Sequence, residues 1–128
     1  GTIEGRFGHR GGSLEYFDEE KKRQAAIYAA VPTVVDIYTD RPFAIPEVVD
    51  QTQAVLASFG SSDGAFLDVV FGDASPEGKL PFDMVRSNAA AEEQMEDVPF
   101  DTRDPLFKFG HGLRYKSACE ASKGRRCT

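Results

Sequence analysis

A chain of 128 residues is long enough for one domain and too short for two, and 41% hydrophobic with 28% charged residues is an ordinary globular balance with room for a modest core. The formal net charge of -6 argues against a nucleic-acid surface and against docking on an anionic membrane, both of which need clustered Lys and Arg. No apolar run approaches the ~20 residues of a membrane span, so the chain is expected to be soluble, with its compartment left open.

The N-terminus shows no basic start followed by an apolar stretch, as a signal peptide would. Ile3-Glu4-Gly5-Arg6 reads as a protease recognition sequence of the kind engineered into expression vectors, and residues 1–6 are set apart as a tag remnant. Residues 7–13 are Gly-rich, contain His9 and Arg10, and read as a loop. Asp18 is a candidate N-cap for a helix running to about Ala30, with Glu19 and Glu20 in its first turn. Ala25, Ala26, Ile27, Ala29 and Ala30 are expected on its buried side.

Val31-Pro32 ends that helix, and residues 33–38, rich in β-branched side chains and almost continuously apolar, predict a buried strand. Thr39-Asp40-Arg41-Pro42 is a turn. A second helix is predicted from Ile45-Pro46 to about Thr52, with the proline at an early helical position. Residues 54–59 predict a second strand. The stretch from Gly60 to Asp63 turns the chain and caps a third helix over 64–71, where Phe66, Leu67, Val70 and Phe71 recur at helical spacing and Gly72 is placed to stop it.

Residues 73–79 form a Gly/Pro turn, and residues 80–84 are short and extended, with Pro81 fitting only an edge or strand-start position. Residues 87–96 fit either a helix or a polar loop, and residues 98–115 are rich in aromatics and turns without a clear period. The last stretch, 116–128, is polar and aperiodic and reads as a disordered or solvated tail. It holds both cysteines, Cys119 and Cys127, whose spacing matches neither a zinc ribbon nor a redox pair. Helices alternating with strands of this kind predict an α/β fold, a mainly parallel sheet flanked by helices in a flavodoxin-like three-layer sandwich.

Three blocks carry a family resemblance. Asp40-Arg41-Pro42 follows a buried strand; Phe59–Pro81 places a helix ending in VVFGD before a P-x-G-K-L-P turn; and Phe109-Gly110-His111-Gly112-Leu113-Arg114-Tyr115 closes the block. In order and spacing they resemble the C-terminal α/β domain of family-3 glycoside hydrolases, over residues 7–115. The stretch from His9 through Gly12-Ser13-Leu14 resembles an H-x-G-S-L segment found in one branch of these enzymes.

The resemblance implies a β-glucosidase-like parent in which a barrel domain comes first and holds the nucleophilic aspartate, the α/β domain follows, and a fibronectin-like domain often comes after it. The sugar site lies between the first two domains, and the acid/base residue commonly sits upstream of the region present here. The chain then covers only part of the family domain.

Retaining glycosidases need two carboxyl groups about 5–5.5 Å apart. No acidic residue here is assigned either role by carry-over, so the catalytic residues are unknown and the isolated chain is expected to be non-catalytic. Asp18, Glu19, Glu20, Asp63, Asp73 and Glu77 read as caps or turn residues.

The substrate-side candidates are Asp40 and Arg41, past the carboxyl end of a strand, where open α/β sheets place ligand contacts; the structural alternative is a turn salt bridge. His9 and Arg10 are candidates for the same interface. His111 reads as a structural loop histidine, and Gly110 and Gly112 as glycines serving positive φ.

Gly60–Gly64 before a helix is a weak phosphate-cradle signal, lacking the P-loop lysine. A G-x-S-x-G elbow is absent. Neither a cofactor nor a metal is expected. The partners expected are a carbohydrate, reached through the barrel, and further copies of the chain, because uncovered sheet edges and apolar faces recruit other chains. Two other functions fit the same residues: a weak stand-alone β-glucosidase acting as an oligomer, and a non-catalytic flavodoxin-like binding or assembly module.

Overall fold

The computed structural model describes residues 13–115. The elements alternate as the composition implies: α1 (Asp18–Ala30), β1 (Val34–Tyr38), α2 (Pro46–Gln51), β2 (Ala54–Ser58), α3 (Asp63–Phe71) and α4 (Asn88–Glu92). β1 and β2 pair in parallel, Val34 opposite Ala54 through Tyr38 opposite Ser58, with α2 in the crossover. Gln53 N–H donates to the Thr33 carbonyl at 3.0 Å and Thr39 N–H to the Ser58 carbonyl at 2.7 Å, carrying the pairing past both ends. The fold is α/β, and the sheet among the described residues has two strands.

Local chemistry explains the boundaries. Asp18, Glu19 and Glu20 meet the positive end of the α1 dipole. Asp18 is, however, the first helical residue and not the cap: Phe17 occupies the N-cap position, without a side-chain cap bond. In α2, Pro46 stands in the first turn, where its missing N–H costs nothing. Ser62 caps α3, its Oγ accepting from Ala65 N–H at 3.3 Å, and left-handed Gly72 ends it at φ 84°. Ser87 does the same for α4, accepting from Ala90 N–H at 3.1 Å.

The core gathers where the strands, the α2 turn and the later segments meet: Ile37, Phe43, Ile45, Val48, Leu80 and Met84, with Tyr16, Tyr28, Val35, Leu106 and Phe107 packed around them. The expected buried side of α1 is corrected here. Ile27 is 38% exposed, and Ala26, Ala29 and Ala30 are exposed, while the residue buried is Gln24. Gln24 and Tyr28, four residues apart, form the inward stripe, so small apolar side chains give way to two larger amphipathic ones.

β1 is likewise not buried on both sides. Val35 and Ile37 point to the core, whereas Val34 and Tyr38 are 47% and 64% exposed, the alternation of a strand with one open face. The apolar side of α3 is open in part, with Leu67 44% and Phe71 75% exposed while Phe66 and Val70 are half-buried.

Segments 80–84 and 106–111 run antiparallel. Met84 N–H donates to the Phe107 carbonyl at 2.8 Å and Leu106 N–H to the Met84 carbonyl at 2.7 Å. Leu80 and His111 continue the pairing, with Leu80 N–H donating to the His111 carbonyl at 2.9 Å. Pro81 thus sits in an extended segment where its missing N–H leaves no ladder position unpaired.

Candidate functional site

Parallel strands bring their carboxyl ends to one edge, and the turn after β1 opens there. Asp40 is exposed and takes part in no hydrogen bond or ion pair among the described residues, so the Asp40–Arg41 turn salt bridge is not formed there. Arg41 instead turns back: its Nη2 donates to the Ser13 carbonyl at 3.2 Å. Phe43 and Ala44, 2% and 0% exposed, anchor the turn beneath, and Ala44 N–H donates to the Leu14 carbonyl at 2.8 Å.

The Ser13–Glu15 stretch is therefore a hub. Leu14 N–H donates to Asn88 Oδ1 at 2.7 Å, Asn88 N–H donates to Glu15 Oε1 at 2.9 Å, and Asn88 Nδ2 donates to Ser13 Oγ at 3.1 Å. Glu15 Oε2 also accepts from Lys21 Nζ at 3.2 Å, and Lys21 lies 3.9 Å from Glu47 Oε1. Three stretches far apart in sequence, 13–15, 41–44 and 87–88, are thereby fixed against one another. Sequence reasoning singled out Arg41 but missed Glu15, Lys21 and Asn88. Asn88 just after Ser87, at a helix start, was the available signal for a cap, though not for its distant partner.

The electrostatics suit support and not proton transfer. The Asn88 N–H, then the Lys21 ammonium, hold the Glu15 carboxyl below its ordinary value. Burial works against the Lys21 charge, but Glu15 and Glu47 outweigh it and raise the group above its usual range. A general acid needs the opposite shift, a carboxyl kept protonated near neutrality. Glu15 and Glu47, which flank one lysine, are thus a structural ion cluster.

The closing aromatic block is pinned to the Pro-Glu-Gly-Lys-Leu-Pro turn. Gly110 N–H donates to the Leu80 carbonyl at 2.8 Å, and His111 N–H to the Lys108 carbonyl at 2.9 Å. The His111 ring stacks on Phe107 with centroids 4.6 Å apart. His111 is therefore held at both ring and backbone. Gly110 has the expected positive φ, 76°. Gly112 does not, and its reason is corrected: a Cβ there would lie 2.2 Å from the Gly78 carbonyl oxygen, so the position demands a glycine for close backbone approach.

His9 and Arg10 lie outside the described residues, as do Cys119, Cys127, the tag remnant and the tail. Arg41 does reach Ser13, four residues beyond His9. Among the described residues no group of three His, Cys, Asp or Glu could hold a metal ion. The helix start after Gly60 is capped by its own Ser62. No helix among the described residues is long and apolar enough to cross a membrane.

Residues 12–115 match the family model described as the glycosyl hydrolase family 3 C-terminal domain. The chain is 62% identical over 117 residues to "Probable beta-glucosidase C" of Aspergillus oryzae, covering 91% of this chain and 18% of that protein. It is 60% identical over 116 residues to "Beta-glucosidase C" of Emericella nidulans, with 91% and 18% covered. It is 41% identical over 107 residues to "Periplasmic beta-glucosidase/beta-xylosidase" of Dickeya chrysanthemi, with 82% and 16% covered. The chain thus spans less than a fifth of the length of these relatives.

Proposed function

Since the chain belongs to the C-terminal domain family of the family-3 glycosyl hydrolases, we propose that it is the late portion of that domain in a β-glucosidase-like enzyme and supports a sugar site that lies against a preceding barrel domain. In this reading residues 7–115 are the domain portion, residues 1–6 a tag remnant and residues 116–128 a polar tail. Asp40 stands at the carboxyl edge of the sheet with its carboxylate unengaged among the described residues, and Arg41 is oriented by the Ser13 carbonyl. A carboxylate in that position accepts hydrogen bonds from sugar hydroxyls, and His9 and Arg10 remain candidates for the same sugar.

The observation that carries the reading is the Arg41–Ser13 tie, which spends the arginine on positioning and leaves Asp40 to face outward. Alone, the chain is proposed to turn over no glycoside. Of the clustered carboxylates, Glu15 is hydrogen-bonded to Lys21 and Glu47 lies 3.9 Å from the same ammonium, and a retaining mechanism needs a nucleophile and an acid about 5–5.5 Å apart.

The test is hydrolysis of an aryl β-glucoside by this chain and by a longer protein that includes the preceding domain. The expected result is activity in the longer protein only. Turnover by the 128-residue chain at a comparable rate would overturn the proposal.

A second reading concerns assembly. The uncovered side chains Val34, Tyr38 and Phe71 favour association of the isolated chain with further copies, through strand exchange or face-to-face packing. Light scattering at high concentration tests this: a strictly monomeric species would refute it.

A further inference from the structure

A depression of about 260 Å³ lies apart from the Asp40–Arg41 turn and the Ser13–Glu15 hub, sharing no lining residue with either. Asp83, Phe100, Thr102, Pro105, Lys108 and Phe109 line it. Phe100 and Phe109 pack ring against ring, their centroids 4.3 Å apart and their planes tilted by 35°, so each covers one face of the other and the exposed outer surface of the pair forms an aromatic shelf. Both rings are more than half exposed, at 55% and 53%. Asp83 Oδ1 accepts from Phe109 N–H at 2.6 Å, which fixes one half of the shelf. The Lys108 carbonyl accepts from His111 N–H, while its ammonium forms no hydrogen bond or ion pair among the described residues.

The backbone supplies an independent observation. Phe100 adopts φ 60°, a left-handed conformation that a bulky side chain rarely takes and that glycine would take without strain. The chain around it is tied down. Met95 N–H donates to Asp101 Oδ2 at 2.9 Å, and Arg86 Nε donates to the Asp104 carbonyl at 3.2 Å and lies 3.1 Å from its carboxylate. A strained aromatic residue, held with its ring half open to solvent, gains little from core burial. Strain of this kind concentrates at ligand-binding positions.

We propose that this shelf binds a single β-glucoside ring, at a site distinct from the one under the strand ends. All the ring substituents of a β-glucopyranoside are equatorial, so its C–H bonds present apolar faces that fit an aromatic surface. Its hydroxyls lie along the edge, where the Asp83 carboxylate accepts hydrogen bonds and the Lys108 ammonium donates them. The volume is slightly below the roughly 300 Å³ at which drug-sized ligand pockets begin, which suits one ring and not a chain. The choice of a glucoside rests on the β-glucosidase-like reading above. Hydrolysis plays no part in the readout below, so the two can fail separately.

The test titrates the isotopically labelled full chain with methyl β-glucopyranoside and follows the amide signals of Lys108 and Phe109. Wild type is expected to give saturable shifts at these positions, and mannitol, an acyclic polyol without a rigid face, to give none. Phe100→Gly removes half the shelf while relieving the backbone, so it is expected to unfold no earlier than wild type yet bind about tenfold more weakly. Lys108→Ala, at an exposed position, is expected to weaken binding without altering unfolding. Absence of saturable shifts in wild type, equal response to mannitol, or wild-type affinity in Phe100→Gly would each overturn the proposal.

Discussion

Replacing Gly112 by alanine tests the contact that locks the closing block to the Pro-Glu-Gly-Lys-Leu-Pro turn. The added methyl would sit 2.2 Å from the Gly78 carbonyl oxygen, 3.3 Å from its carbon and 3.5 Å from Lys79 Cα. All three atoms belong to backbone, so no rotamer change relieves the clash, and one segment must withdraw by about 1 Å. That movement strains the Leu80–His111 and Gly110–Leu80 hydrogen bonds, both under 3 Å.

Overpacking of this kind costs about 1–3 kcal/mol and a weakened backbone hydrogen bond about 1 kcal/mol more, so a loss of roughly 3 kcal/mol is expected. For a domain of this size that lowers the unfolding midpoint by about 12 °C. Thermal and urea unfolding followed by far-ultraviolet circular dichroism measures it. Gly78→Ala is the matched control, because its Cβ would meet nothing within 4 Å and its φ is not positive; it is expected to be neutral or stabilising by up to about 1 kcal/mol. If Gly112→Ala and Gly78→Ala unfold together, the close-approach argument is refuted.

Other outcomes follow from the hub and the caps. Glu15 is ionised to lower pH in the folded chain than in the unfolded one, where its value is near 4.5. Its contribution is therefore present above about pH 4.5 and disappears as the pH falls through the lower folded value, and Glu15→Gln should flatten this part of a stability–pH profile. Ser62→Ala removes the side-chain cap of α3 and should cost about 1 kcal/mol in urea unfolding. Arg41→Ala, in a longer protein that hydrolyses glucosides, is expected to raise KM more than it lowers kcat, with partial rescue by Arg41→Lys; an unchanged KM would count against the positioning role.

Much of the fold was legible because local signals agreed with one another. The β-branched run before Thr39, Pro46, Ser62 and Gly72 each mark a boundary that lies within a residue or two of its expected place. What failed was the assignment of faces. A continuous apolar run suggested that β1 is covered on both sides, yet Val34 and Tyr38 are open, because a sequence records the composition of a strand and not whether a neighbour is present. On α1 the alanines looked like the inward side, but size decided the packing and Gln24 and Tyr28 took it. At the candidate site, Arg41 was visible from its place after a strand. Its partner is a main-chain oxygen 28 positions earlier, which carries no residue-type signature. Asn88 and Glu15 stand 73 positions apart and show nothing in periodicity.

The hub at 13–15 imposes an uneven tolerance to sequence change. Leu14 takes part through its own amide and carbonyl, so almost any side chain can stand there without cutting those ties. Asn88 and Glu15 take part through side-chain oxygens and cannot be exchanged so freely. Variation among descendants of this chain should accordingly be permissive at 14 and restrictive at 15 and 88, a contrast that exposure alone would not forecast, since all three positions are about equally shielded from solvent.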